Sequence, residues 1–145
     1  MKIMTRDFGE IAVEEQDLIT FAAPIFGFEH LTKFAVLMDD TLDGEFVWLQ
    51  SAEDSDVCFV LASPARLIPG YAPTLPDEVV QTLGEGTYEL WNVMVVAGDF
   101  RASTVNLKSP VVFNLTSNQA MQTILEDSFP IRYPLFQAEK EGAVC

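Results

Sequence analysis

Few groups in this chain have types that could do chemistry: one histidine, two cysteines and 22 acidic side chains. His30 lies in PIFGFEHLTKF with no second histidine and no closely spaced cysteine pair, so a tetrahedral zinc site has no ligand set. A hydrolase relay would need that imidazole beside an activated nucleophile. No serine sits in a G-x-S-x-G elbow, and Cys58 falls in the apolar run DVCFVLA. Asp39-Asp40-Thr41-Leu42-Asp43-Gly44-Glu45 has the acid density of a calcium loop without its D-x-[DN]-x-[DN]-G spacing, and reads as a solvated turn between strands. Gly84-Glu85-Gly86 does not open a helix after a strand, so it is no dinucleotide fingerprint. Asn114-Leu115-Thr116 matches a glycosylation acceptor, but no secretion signal accompanies it. His30 is therefore expected to be an ordinary, partly exposed residue and Cys58 a buried thiol. No catalytic residue, metal or cofactor is expected.

The acids are distributed unevenly. Thirteen of them fall in the first 56 residues against three cations, Lys2, Arg6 and Lys33, a formal charge of −10, while the remaining 89 residues carry −4. Such a field repels phosphate backbones and attracts cationic surfaces, which weakens the reading of direct nucleic-acid binding and strengthens that of a basic protein partner. The same charge also keeps an apolar-rich domain in solution.

The elements that must position these groups are mostly strands. The 145 residues suffice for one domain with its own core, here expected over 1–136, with 137–145 a flexible tail ending in Cys145. Apolar periodicity is nearer two than 3.6 along most of the chain. Phe34, Val36 and Met38 share one face of KFAVLM, and EFVWLQ and DVCFVLA are apolar on both parities, as strands covered on both faces are. TYELWNVMVVAG, STVNL, PVVFNL and AMQTILED continue the pattern. One segment, LPDEVVQTLG (75–84), reads as helix, with Pro76 at its start, Asp77 and Glu78 in the first turn and Gly84 as C-cap. A second helical turn is expected at 27–34. The expected fold is mostly β, a compact antiparallel barrel or sandwich with one or two short helices. No apolar run approaches the ~20 residues of a membrane span, and the N-terminus has no signal-peptide stretch, so the chain reads as soluble, reduced and cytoplasmic.

Five segments, in order along nearly the whole chain, are similar to the flagellar assembly factor FliW family. They are MKIMTRDFGEIAVEEQDLITF (1–21), the loop Pro24-Ile25-Phe26-Gly27-Phe28, and Phe46-Val47-Trp48-Leu49-Gln50-Ser51 followed by Glu53-Asp54. They continue with Thr104-Val105-Asn106-Leu107-Lys108-Ser109-Pro110-Val111-Val112 and with Phe129-Pro130-Ile131-Arg132-Tyr133-Pro134-Leu135. The resemblance implies a small, flattened antiparallel β-barrel and no enzymatic activity. It implies two partners, newly made flagellin and the RNA-binding translational regulator CsrA. Free factor would hold the regulator off the flagellin messenger until accumulating flagellin recaptures the factor.

An acidic protein docked on an RNA-binding partner would attract its basic surface and repel RNA. Asp43, Glu45, Glu53, Asp54 and Asp56, which flank the WLQS strand, are expected to form part of the acidic face. Gln50, at the strand end, is either exposed to a partner or a satisfied interior amide. Asn106 and Lys108 share the polar face of STVNLKS and are a further candidate partner surface. Trp48 and Leu49 are expected in the core, Pro110 at an edge or bulge, and Arg132 in an internal ion pair. Free protein is expected to be monomeric. The alternative function is a β-barrel that holds a small molecule in its lumen.

Overall fold

The structure is a computed structural model that describes residues 1–38, 44–95 and 98–135. Its strands are β1 (Lys2–Met4), β2 (Glu10–Ala12), β3 (Ile19–Phe21), β4 (Lys33–Met38), β5 (Phe46–Ser51) and β6 (Cys58–Ala62), followed after two helices by β7 (Tyr88–Val95), β8 (Thr104–Val105), β9 (Val111–Asn114), β10 (Gln119–Gln122) and β11 (Tyr133–Pro134). The helices are α1 (Pro64–Leu67) and α2 (Asp77–Leu83). Seven strands close on themselves in the order β7-β6-β5-β4-β3-β10-β9 and back to β7. The mostly-β barrel is therefore the fold expected from the sequence. All its pairings are antiparallel except β10 with β3, which run parallel through Gln119 opposite Thr20 and Ala120 opposite Phe21.

Register decides what fills the barrel. Val36 faces Leu49, Leu49 faces Phe59 and Leu61 faces Val93, so one parity of each strand points inward all the way round. Those positions form one core of Phe21, Phe34, Leu49, Leu61, Val111 and their neighbours, with Phe34, Leu49, Leu61 and Val111 wholly buried. Phe21 meets Phe34 edge to face at 5.0 Å between ring centroids. The lumen is filled by side chains.

The opposite parity is covered too, which is why EFVWLQ and DVCFVLA read as continuous apolar runs. The β1–β2 hairpin lays Ile3 over Ala35, with Leu37 at the edge of the same cluster. Helix α2 sets Val79 and Leu83 on Val112 and Met121. Strands β8 and β11, extending from β7, cover Phe46, Ala62 and Met94 with Val105 and Leu107.

The helix expected at 75–84 is α2, with Pro76 as N-cap and Gly84 closing it at φ 74°. Gly86 has a separate reason: a Cβ there would lie 2.3 Å from Asn114 Oδ1, so only glycine lets the turn into β7 approach the Asn114 side chain. The turn expected at 27–34 is not helical. Phe28 donates its N–H to Ile25 O and Leu31 donates to Phe28 O, two successive tight turns before β4 begins at Lys33. Helix α1 had no sequence expectation, being a single turn started by Pro64. The Pro130–Pro134 loop likewise ends in β11, which pairs with β8. Arg132 is exposed and takes part in neither of the ion pairs found among the described residues, Lys2–Glu10 and Arg6–Asp7.

Candidate functional site

Strand β5 sets the geometry of the expected acidic face, and it divides that face in two. Glu45 immediately precedes the strand, whereas Glu53, Asp54 and Asp56 follow it in the turn to β6. At ~3.3 Å per residue, the strand alone separates the two groups by roughly 17 Å. Asp43 lies outside the described residues, as do Asp39, Asp40 and the tail 137–145 with Cys145. One contiguous face centred on the WLQS strand is thus not what the fold builds from the described acids.

The acids of the β5–β6 turn are partly engaged in building it. Ser51 Oγ accepts the N–H groups of Glu53 and Asp54, and Asp54 Oδ1 accepts that of Asp56. Glu53 reaches across to the chain before β4, where its Oε1 accepts the backbone N–H of Thr32 at 2.6 Å and of Lys33 at 2.9 Å. The Lys33 and Thr32 amides hold the Glu53 carboxyl below its ordinary range. Asp56 remains exposed and Asp54 half-exposed, so this turn still presents negative charge to solvent.

Gln50 is the interior amide of the two alternatives. It is fully buried on the outer face of the barrel, and its Oε1 accepts Arg6 N–H at 2.9 Å. Its Nε2 donates to the carbonyls of Ser51, Ser55 and Val57. It ties the N-terminal turn to the β5–β6 turn and offers no atom to a partner, because each polar atom is spent internally. Trp48 points the same way as Gln50 and is only half-buried, with Phe8 edge-on at 5.2 Å between centroids. Leu49 is core as expected.

Asn106 and Lys108 do alternate with buried Val105, Leu107 and Ser109. Strand β8, however, ends at Val105, because Asn106 Oδ1 accepts the N–H groups of Lys108 and Ser109 and turns the chain. Lys108 Nζ donates to Asp127 O at 2.7 Å. Both side chains are half-buried and hold a loop, which leaves their edges alone for contact. Pro110 is buried at the junction into β9, with its carbonyl accepting Thr123 N–H.

The remaining chemical groups lie apart from one another. His30 is exposed. Cys58 is buried, and that burial pushes its thiol up, away from thiolate reactivity. Tyr71 is likewise pushed up by burial, with its hydroxyl donating to Leu107 O. Among the described residues no three His, Cys, Asp or Glu side chains gather to hold a metal.

This geometry defines a class: a small closed β-barrel with a filled lumen, clad on the outside by a hairpin, a helix and a two-strand extension. The family model described as "FliW protein" matches residues 2–135. The chain is 38% identical over 139 residues to a flagellar assembly factor FliW of Caldicellulosiruptor saccharolyticus, covering 93% of this chain and 90% of that one. It is also 38% identical over 142 residues to that of Syntrophus aciditrophicus, covering 94% and 89%. A crystal structure of the flagellar assembly factor FliW superposes with a TM-score of 0.86 at 30% identity, covering 94% of this chain and 97% of that one. The chain belongs to the FliW family of flagellar assembly factors.

Proposed function

We propose that this flagellar assembly factor acts by protein–protein contact, binding flagellin and antagonising a CsrA-type RNA-binding translational regulator, and so couples flagellin synthesis to flagellar assembly. The observation that carries the reading is family membership over residues 2–135, joined to a surface of strongly negative charge. A regulator that binds RNA presents a basic surface, and an acidic protein beside it lowers that surface's affinity for phosphate. The antagonism is a coupling free energy, so RNA must weaken the factor's binding by the same factor that the protein weakens RNA's. We place the protein in the cytoplasm, as a monomer between partners, with no catalytic step.

Within this reading we narrow the contact sites. The regulator-facing charge is assigned to the β5–β6 turn, Asp54 and Asp56 with Glu53 behind them, rather than to one face running the length of β5. Asn106 and Lys108 keep a place at the edge of a second surface, and Gln50 is withdrawn to the interior. Against the alternative, the barrel interior among the described residues is packed with side chains such as Phe34, Leu49 and Leu61, where a small-molecule site usually needs a pocket of roughly 300–1,000 Å³.

The test is calorimetric titration with the flagellin and, separately, the CsrA-type regulator of the encoding organism, at two salt concentrations. Binding to both, with the regulator's affinity falling as salt rises, is the expected result. Binding to flagellin alone reduces the protein to a flagellin chaperone. Binding to neither sinks the proposal.

A further inference from the structure

Among the described residues, the two ends of the barrel are finished differently. At one end the 24–31 loop drives Ile25 and Leu31 into the core, each 3% exposed. At the other, the inward parity runs on past the core: Val36 and Met38 of β4 and Leu115 just after β9 stand 37%, 70% and 52% exposed. Between them lies a pocket of about 110 Å³, floored by Ile19, Val47, Trp91 and Phe113. Apolar side chains left open on a concave surface mark a place where something docks. A volume of 110 Å³ is well below that of small-molecule pockets, and suits a single bulky side chain. Met38, Glu89 and Trp91 also line a neighbouring groove of about 520 Å³ that is bounded by α1, Arg66 and Tyr71.

The charge around this end selects the occupant. The described segments that enter or leave the strands here, 15–18, 44–45, 63–66, 84–89 and 115–119, carry Glu15, Asp17, Glu45, Glu85 and Glu89 against the single cation Arg66. Glu89 stands on the pocket wall, where its Oε1 accepts Trp91 Nε1–H at 2.6 Å. An apolar hole in an acidic rim complements a cationic segment that carries one large apolar residue. We propose that this barrel mouth is a docking pocket for a lysine- or arginine-rich segment of a protein partner, anchored by one bulky aliphatic or aromatic side chain. The assignment stands apart from the flagellin and regulator reading, since any such partner satisfies it.

The mouth contains its own reporter. The chain has two tryptophans. Trp48→Phe, on the outer face, leaves Trp91 alone in the pocket floor. The probes are three helix-forming Lys/Ala peptides of about 14 residues: one with a central Leu, one with Ser in its place, and one with every Lys replaced by Glu. The expected result is a saturable change in Trp91 emission with the Leu peptide. The Ser peptide should bind about tenfold or more weakly, as expected when a leucine-sized side chain is no longer buried. The Glu peptide should not bind, and neither Leu115→Glu nor Met38→Glu, both at exposed positions, should respond. Equal binding of the Leu and Ser peptides would overturn the proposal, because charge alone would then account for it. Binding seen by peptide anisotropy but unchanged in both variants would place the site elsewhere. Sedimentation showing that the free chain self-associates and that Leu115→Glu makes it monomeric would also overturn the proposal, since a second copy would then be the occupant. None of these probes contains flagellin or an RNA-binding regulator, so this assignment and the functional proposal fail separately.

Discussion

The plugged end of the barrel is closed by the 24–31 loop, whereas its mouth ends in exposed inward-facing strand positions, and only one of the two is committed to holding the fold. At the plugged end, backbone is pinned by side chains from across the barrel. Gln122 Oε1 accepts Phe26 N–H, Gln122 Nε2 donates to Ser109 O, and Glu53 collects the amides of Thr32 and Lys33. Phe28 then stacks edge-on against Phe59 at 5.0 Å, closing the core from below. At the mouth, Val36, Met38 and Leu115 gain little from folding, because much of their surface stays in water. Stability is concentrated at one end, and the other is left free for binding.

If that division is real, substitutions at the two ends must separate widely. The largest effect is expected from Leu31→Ala. Leu31 is almost wholly buried in the barrel core, so its truncation should cost about 2–5 kcal/mol, read as a lower denaturant midpoint at unchanged slope. A loss below about 1 kcal/mol would mean that the loop is an ornament and the comparison false. Next comes Gln122→Leu, which keeps the volume but strands the Phe26 N–H and the Ser109 carbonyl. About 1–3 kcal/mol is expected. Hydrogen exchange at the Phe26 amide sharpens the point, since it should accelerate more than exchange in β7.

How much of this was legible in the sequence follows from what each signal encodes. Local periodicity carries face and burial, so β4 to β7 and the doubly covered EFVWLQ strand could be read, and end chemistry placed α2 from Pro76 to Gly84. Pairing between distant strands leaves no local trace, which is why the parallel β10–β3 contact, the step that closes the barrel, was not foreseen. Glycine and proline in PIFGF announce a break but not its shape, and helix was expected where two tight turns stand. The acids near WLQS looked like one face because they are close in sequence. A strand of six residues carries its flanks to opposite ends of the molecule. Gln50 could not be decided either way, because its partners come from residues 6, 55 and 57 as well as its own neighbour. The mouth itself is half visible in the sequence: Phe34, Val36 and Met38 share one face of KFAVLM, but only Phe34 is buried, and nothing local says where a core stops.

A smaller effect is expected at Glu53, and it depends on pH. The Lys33 and Thr32 amides hold the folded carboxyl below its unfolded value. A lowered carboxyl stabilises the fold fully above that unfolded value, and the contribution is lost as pH falls through the lower, folded one. Glu53→Gln should therefore be less stable than the parent at pH 7, by no more than about 1 kcal/mol because the side chain is solvent-screened. The gap should close as acid is added. A gap that stays constant from neutral pH down through the carboxylate range would show that the charge contributes nothing and only the shape matters.

The smallest effect is predicted at the mouth. Met38→Ala and Leu115→Ala remove side chains that are 70% and 52% exposed, so each should change stability by only about 0.5 kcal/mol in either direction. A large apolar side chain that does not help the fold needs another reason to stand in solvent, and docking supplies one. The two alanine variants should accordingly unfold at nearly the parent's denaturant midpoint while losing affinity for an anchored cationic peptide. Should either instead destabilise the protein as much as Leu31→Ala does, the mouth would be core that only looks open, and the asymmetry between the two ends would vanish with it.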